Sequence, residues 1–225
     1  GVLSGVVAVM VGVLTFPFSL LADRWGRVRC LTAMAIVWSL ATLLCGLAQD
    51  YTQMLAGRLL VGAGEAAYGS VGIAVVVSVF PRSMRATLSA AFMAGGLLGQ
   101  VLGVGIGGAI AAQHGWRAAF MAIAVSGLAL ALAYPIVVRE RRIAAIAASL
   151  GTATGERTAE RVPLKSLFAG RSLVCAYVGS GLQLMVAGAL PTWLPSYLTR
   201  YYAMPLAKAA GTAAMLLLVS GAGMI

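Results

Sequence analysis

The sequence predicts an all-α, polytopic transmembrane helical bundle. Hydrophobic residues make up 61% of the chain and charged residues only 10%, whereas a soluble domain averages about 25% charged residues. The apolar residues stand in blocks of about 20, the length that a helix needs to cross a bilayer. The charged residues gather between those blocks. The net charge of +10 therefore indicates orientation in a membrane rather than binding to nucleic acid.

The apolar blocks predict seven membrane-spanning helices. Their approximate bounds are 1–22, 30–48, 52–79, 86–112, 116–138, 172–198 and 206–225. Most of the connections are short, which is typical of antiparallel neighbours in a helical bundle. The exception, 139–171, predicts a cytoplasmic linker between an amino-terminal bundle, 1–138, and the start of a second bundle, 172–225. The beginning of that linker, from Arg139 to Ile146, predicts either a short interfacial helix or a solvated segment.

The distribution of Lys and Arg predicts which side each connection faces. Of the 16 such residues, twelve lie in the first, third and fifth connections, three lie on the opposite side, and Arg58 lies within a span. The positive-inside rule places the larger group in the cytoplasm. This group consists of Arg24, Arg27, Arg29, Arg82, Arg85, Arg139, Arg141, Arg142, Arg157, Arg161, Lys165 and Arg171. The chain begins at Gly1 and stops at Ile225 inside an apolar run, so we expect an internal piece of a longer protein whose missing helices complete the bundle.

The first connection carries a dense group of charges around a glycine, in the order Asp23-Arg24-Trp25-Gly26-Arg27. Glycine permits a tight reversal of the chain, and a carboxylate can accept hydrogen bonds from a nearby helix amino terminus. Arginines can pair with carboxylates or with lipid phosphates. By itself the group predicts no more than topology, and a role as a cytoplasmic gate is what its resemblance to a known family motif implies. The predicted gate residues are Asp23, Arg24, Gly26, Arg27, Arg82 and Arg85.

The third span contains two ionisable residues, Arg58 and Glu65. Seven residues are two helical turns, so the two side chains share a face about 10 Å apart along the axis. Each costs about 2.5 to 3.5 kcal/mol at the centre of a membrane helix, and such residues normally face the bundle interior or a wet cavity. We interpret them as residues for proton coupling or substrate contact. The alternative is a fixed, buried ion pair that locks helices together.

Three other features of the spans could serve packing or a central cavity. Gln100 and Gln183 are polar residues within spans and are predicted to face the cavity. Pro191 and Pro195 predict a local disruption near the outer end of the sixth span, which is either a break that serves as an outer gate or substrate clamp, or a simple kink. Four glycines at a spacing of four predict a flat ridge that lets a neighbouring helix approach closely, either for packing alone or as a sliding surface. These are Gly95, Gly99, Gly103 and Gly107.

The order of these motifs resembles that of the major facilitator superfamily. The first connection is similar to the superfamily motif Gly-x-Leu-Ala-Asp-Arg-x-Gly-Arg-Arg/Lys, with Ser19 at the usual glycine and Val28 at a usual basic position. Three further segments follow in the order seen in spinster-like members. They are Arg58-Leu59-Leu60-Val61-Gly62-Ala63-Gly64-Glu65-Ala66, Phe80-Pro81-Arg82-Ser83-Met84-Arg85-Ala86 and Gly115-Trp116-Arg117-Ala118-Ala119-Phe120.

The resemblance implies a fold of twelve helices, of which about helices 2 to 8 are present. It implies alternating access to a central site, with Arg58 and Glu65 in the cavity beside charged residues of a first helix. It further implies that Asp23 docks against a late helix of the second half, and that the substrate is an amphipathic or anionic organic molecule.

The function predicted from the sequence is secondary active transport of a small organic solute, coupled to protons, in a cell membrane and most simply a bacterial inner membrane. The alternative is a membrane sensor or scaffold that keeps the transporter fold without transporting. We expect no enzyme, cofactor or metal site, because the intramembrane polar residues form no catalytic set. His114, the single histidine, lies in an outer connection.

Overall fold

The computed structural model describes residues 1–149 and 170–222, and within these ranges the chain is α-helical with no strand. This agrees with the all-α prediction. The helices are α1 (Val2–Trp25), α2 (Arg27–Leu47), α3 (Tyr51–Glu65), α4 (Tyr68–Val79), α5 (Arg82–Val137), α6 (Glu140–Ser149), α7 (Arg171–Tyr201) and α8 (Leu206–Ala222).

These helices account for the seven predicted spans. Helices α1, α2 and α7 are each long and apolar enough to cross a membrane, and α3 and α4 together form one broken span. Helix α5 has 56 residues, about twice the number that a bilayer needs. Gly115, at φ 82° and ψ 163°, divides it into a first arm, 82–114, and a second arm, 116–137. Helix α8 is the shorter seventh span.

The turns between spans are tight, and local chemistry explains two of them. Gly26 joins α1 to α2 at φ 99°, a left-handed conformation that only glycine adopts readily. Asp50 caps α3, because its side chain accepts a hydrogen bond of 2.7 Å from the backbone N–H of Gln53. A carboxylate at this position satisfies one of the amide donors that a helix start leaves unpaired.

Helix α2 packs against α1, α3, α4 and the second arm of α5, whereas α8 packs against the first arm of α5 and against α7. Buried residues form three apolar clusters, the largest of which joins α1, α2 and α4. Its members are Ala22, Cys30, Leu31, Met34, Ala67 and Val71. Cys30 and Cys45 are buried and unpaired, and a buried free cysteine packs as a small apolar residue.

Pro191 and Pro195 both lie inside α7, which runs as one helix through them, so the chain is not interrupted there. The simple kink, the other alternative for these prolines, stays a prediction. Each proline leaves the carbonyl four residues earlier, that of Ala187 or of Pro191, without an amide partner. The Thr192 hydroxyl donates a 2.8 Å hydrogen bond to the neighbouring carbonyl of Gly188.

The linker predicted at 139–171 begins with helix α6 and ends where α7 starts. Residues 150–169, which include Arg157, Arg161 and Lys165, lie outside the described residues, as does Ile225. The helical start agrees with the first of the two alternatives for this stretch. Its arginines at 139, 141 and 142 are exposed.

Candidate functional site

The third span is broken immediately after its carboxylate. Helix α3 ends at Glu65 and α4 begins at Tyr68. Ala66 keeps a helical conformation, but Ala67 turns to φ −111° and ψ 7°. Both alanines are buried. Alanine is the best helix former, so the break does not follow from local preference and must be imposed by packing.

Glycines bring two neighbouring helices against the last turn of α3. A Cβ added at Gly62 would lie 2.7 Å from the Cβ of Met10 in α1. One added at Gly64 would lie 2.6 Å from the backbone nitrogen of Trp38 in α2. Side chains other than hydrogen would not fit at either position. The turn that carries Glu65 is therefore held between α1 and α2.

Glu65 itself is exposed. Its side chain makes no hydrogen bond or ion pair with any residue that the structure describes. The carboxylate therefore stands at the edge of the break, on a backbone that is fixed, while its own oxygens bond no described group.

Arg58 lies two turns earlier and is half-buried. Its guanidinium carbon is 5.0 Å from the centroid of the Phe120 ring in the second arm of α5, a distance at which the ring face attracts a cation. Its Nε is fully buried and has no acceptor within residues 1–149 and 170–222. Neither Arg58 nor Glu65 forms an ion pair with a described residue, since the ion pair found in these ranges joins Arg27 to Asp23. The structural alternative, a buried ion pair or network that locks helices together, stays a prediction.

The predicted gate residues are held together at the end of α1 and the start of α2. Asp23 Oδ1 lies 3.4 Å from an Arg27 guanidinium nitrogen. The other guanidinium nitrogen of Arg27 donates a 3.0 Å hydrogen bond to the carbonyl of Ala74 in α4. A cavity of about 80 Å³ lies against these groups. Arg27 thus links the first connection to α4, the second helix of the broken span.

The remaining gate residues are arranged more loosely. Arg24 and Arg82 are exposed. Arg85 is half-buried, and its Nε donates a 2.9 Å hydrogen bond to the carbonyl of Phe80 at the end of α4. Arg85 therefore fixes the connection between α4 and α5, and Arg24 and Arg82 are free to meet lipid phosphates or carboxylates.

The structure does not bring Gln100 and Gln183 to the carboxylate. Both side chains are exposed, and neither is joined to Arg58 or Glu65 by a hydrogen bond within the described residues. Their assignment to a cavity stays a prediction.

The glycine ridge of the first arm of α5 has open space beside it in this part of the chain. An added Cβ at Gly95, Gly99 or Gly103 would meet no described atom within 4 Å, and one at Gly107 would touch only Ile123, at 3.4 Å. The close contact of this arm with α8 runs through Gly108, where an added Cβ would lie 2.3 Å from the Cβ of Ala210. A packing role for the ridge stays a prediction.

Sequence reasoning passed over one residue near the break, Thr15 of α1. Its hydroxyl oxygen lies 2.5 Å from the carbonyl oxygens of Val11 and Ala66. One turn later, the hydroxyls of Ser19 and Ser70 are 2.9 Å apart. A signal was present, because Thr15, Ser19 and Asp23 are spaced by four along an apolar helix. Residues at this spacing share one face, and this polar face is the one turned toward α3 and α4.

Within the described ranges, no group of three or more His, Cys, Asp or Glu residues could hold a metal ion. The polar groups of this region can instead bind an anion through Arg58, take up a proton at Glu65, and bond backbone carbonyls.

Comparison with known proteins extends over the whole chain. The family model described as Major Facilitator Superfamily matches residues 1–225. The chain is 29% identical over 233 residues to the "Probable L-galactonate transporter" of Escherichia coli (strain K12), an alignment that covers 100% of this chain and 51% of that protein.

Two spinster-type relatives match a shorter part. The chain is 28% identical over 182 residues to "Protein spinster" of Drosophila melanogaster, covering 80% of this chain and 29% of the relative. It is 30% identical over 187 residues to a sphingosine-1-phosphate transporter of Danio rerio, covering 81% and 37%. The chain thus spans about half the length of the bacterial relative and about a third of the animal ones.

Proposed function

This chain belongs to the Major Facilitator Superfamily as a spinster-like, multi-pass membrane protein, and from that membership we propose that it is part of a proton-coupled secondary transporter. The transporter moves a small organic solute by alternating access, in which two helical halves rock about a central site. The argument against an enzyme is membership of this family of transporters, and not the lack of a catalytic set of residues. We place the protein in a cell membrane, with the bacterial inner membrane as the simplest host.

The broken third span is the observation that carries this proposal. An ionisable residue within a membrane segment marks an ion or substrate pathway by default. Transporters often build their sites from interrupted helices. Here the interruption falls directly after Glu65, whose carboxylate has no protein partner in the described ranges. An exposed carboxylate at a break can exchange a proton with whichever side the cavity faces.

Arg58 supplies the positive charge of the proposed cycle. Its guanidinium rests on Phe120 and pairs with no described carboxylate. An anionic substrate and the ionised Glu65 would then compete for the same cation as the cavity closes and the local dielectric falls. Protonation of Glu65 would remove one competitor, so that uptake of a proton and binding of the anion favour one another.

An anionic organic substrate is part of the proposal. It is consistent with an unpaired intramembrane arginine, and the names of two relatives refer to anions, L-galactonate and sphingosine 1-phosphate. In the same cycle, Asp23 and Arg27 would close the cytoplasmic side, with Arg27 coupling the first connection to α4 through the Ala74 carbonyl.

The test is flux into proteoliposomes that contain the full-length protein. Radiolabelled L-galactonate and sphingosine 1-phosphate are offered separately, with and without an imposed pH gradient. We expect the gradient to drive accumulation of one probe, and Glu65→Gln to abolish the dependence on the gradient. Asp50→Asn is the matched control, because Asn caps a helix as well as Asp does and the position lies at the membrane edge.

Unchanged flux and unchanged pH dependence in Glu65→Gln would refute the coupling role. Binding of a probe without flux under any gradient would favour the sensor or scaffold.

A further inference from the structure

The hydroxyl of Thr15 bridges α1 and the break in the third span. Its Oγ1 lies 2.5 Å from the carbonyl oxygen of its own helix at Val11 and 2.5 Å from that of Ala66, 51 residues later in the chain. We infer that Thr15 is a positioning residue, which holds the segment 65–67 against α1 and so sets where the Glu65 carboxylate stands. The inference rests on the proposed coupling role of Glu65.

A helix break creates the need for such a hydroxyl. Carbonyls at the end of a helix lack intrahelical amide partners. In a membrane there is no bulk water to replace those partners, and Ser or Thr side chains are among the groups that can. Ala66 is buried, and its carbonyl accepts from Thr15. The hydroxyl has a single hydrogen to share between Val11 and Ala66, so the bond to the break competes with an ordinary bond inside α1.

The surrounding contacts make the position of Glu65 depend on its backbone. Gly62 and Gly64 are pressed against α1 and α2 on either side, with added Cβ atoms at 2.7 Å and 2.6 Å from their neighbours. The Glu65 side chain makes no described bond of its own. The bond from Thr15 is the one that reaches the segment 65–67 directly from α1, whereas Ser19 reaches the Ala67 carbonyl only through the hydroxyl of Ser70. Releasing the Ala66 carbonyl would therefore loosen the segment on the side that faces α1.

The groups packed around α3 leave few other influences on the carboxylate. The apolar part of α1, 1–22, has no ionisable side chain, and its charges Asp23 and Arg24 lie at its far end. The ionisable groups on α3 itself are Tyr51 and Arg58. Those on the elements around it are Arg27, Arg29, Cys30 and Cys45 of α2, Tyr68 of α4 and, in the second arm of α5, Arg117 and Tyr134.

The test reads the protonation of Glu65 without any transport. In the full-length protein, Trp25, Trp116 and Trp193 are replaced by Phe, as are any tryptophans outside this chain. Trp38 remains as the reporter, since its backbone contacts Gly64 and its ring lies 6.1 Å from that of Tyr68. Its emission is titrated against pH in lipid nanodiscs. Glu65→Gln in the same background identifies the part of the titration that belongs to Glu65.

We expect Thr15→Val, which removes the hydroxyl and keeps the shape, to displace the midpoint by about 0.4 to 1 pH unit, the equivalent of one hydrogen bond. Thr15→Ser keeps a hydroxyl and should keep the wild-type midpoint. Ser19→Ala, which removes the next hydroxyl on the same face, should also keep it. If Thr15→Val does not fold, Thr15→Ala is measured in its place.

Equal midpoints for the wild type, Thr15→Val and Thr15→Ser would overturn the inference. A wild-type titration that Glu65→Gln leaves unchanged would overturn it too, because Glu65 would then not titrate beside the fixed segment. The proposed transport function fails separately, in the flux assay, so the two failures can be told apart.

Discussion

Replacing Gly64 by alanine should drive α2 and α3 apart. The added Cβ would lie 2.6 Å from the backbone nitrogen and 2.8 Å from the Cα of Trp38. Ordinary van der Waals contact begins at 3.4 Å, so the shortfall is about 0.8 Å. Because both obstructing atoms belong to the backbone, no rotamer change relieves the overlap and a whole helix must shift.

The free energy of that shift can be bounded. Inserting a methyl group into a packed interior costs about 1 to 3 kcal/mol, and backbone obstruction favours the upper end. Gly to Ala inside a helix returns about 1 kcal/mol through helix propensity. The expected net loss is therefore about 2 kcal/mol. Gly69→Ala lies in the first turn of α4, where an added Cβ meets no described atom within 4 Å, so it keeps the propensity gain and should be neutral or stabilising.

Thermal unfolding of the detergent-solubilised full-length protein measures the difference, followed by the loss of its monodisperse peak on size-exclusion chromatography. A loss of about 2 kcal/mol corresponds to a fall in melting temperature of about 4 to 8 °C for a chain of this size. The melting temperature of Gly64→Ala should therefore lie below that of the wild type, and that of Gly69→Ala at or above it. An apparent melting temperature of Gly64→Ala at or above the wild-type value would refute the reasoning. Equal losses in Gly64→Ala and Gly69→Ala would show that the contact with Trp38 is not what limits the site.

Two further changes test the arginine–aromatic contact and the turn in α5. Phe120→Leu removes the ring beneath Arg58, so the affinity for an anionic probe should fall by about 2- to 30-fold. Phe120→Trp keeps an aromatic ring and should retain the affinity. Equilibrium binding measures both variants, and equal affinities for the two would contradict a role of the Arg58–Phe120 contact. Gly115→Ala places a Cβ at φ 82° and ψ 163°, a region that only glycine populates readily, and should lower stability by about 1 to 3 kcal/mol in the same unfolding assay. A melting temperature of Gly115→Ala equal to that of the wild type would show that this backbone conformation does not limit the position.

The spans were predictable because their signal is additive over about 20 residues. The position of the outer reversal in α5 was predictable from Gly115 within the segment His114-Gly115-Trp116. The length of this connection was not predictable, because helix continues up to Gly115 on both sides. The break that follows Ala66 could not be predicted from the sequence, because two alanines give no local signal. Its cause lies in tertiary contacts, those of the last turn of α3 with Met10 and Trp38.

The effect of the two prolines was less predictable. Pro191 and Pro195 allowed a break or a simple kink, and α7 continues through both without interruption. Proline removes a backbone donor, but whether a helix stops there depends on tertiary contacts that the sequence does not specify. Arg58 and Glu65 were identified by their cost in hydrocarbon. That they do not pair, and that Phe120 lies over Arg58 instead, depends on side-chain directions that a periodicity does not specify.

The single-residue reversal at Gly115 also limits how the protein can be probed from the side that this connection is predicted to face, the outside of the cell. Helix continues up to Gly115 on both sides, so this connection offers no extended loop that a protease could cleave or an antibody could bind. An inserted epitope tag would have to unwind helix to be displayed. The connection at 202–205, between α7 and α8, is longer and lies on the same predicted face, which makes it the position for a reporter of topology.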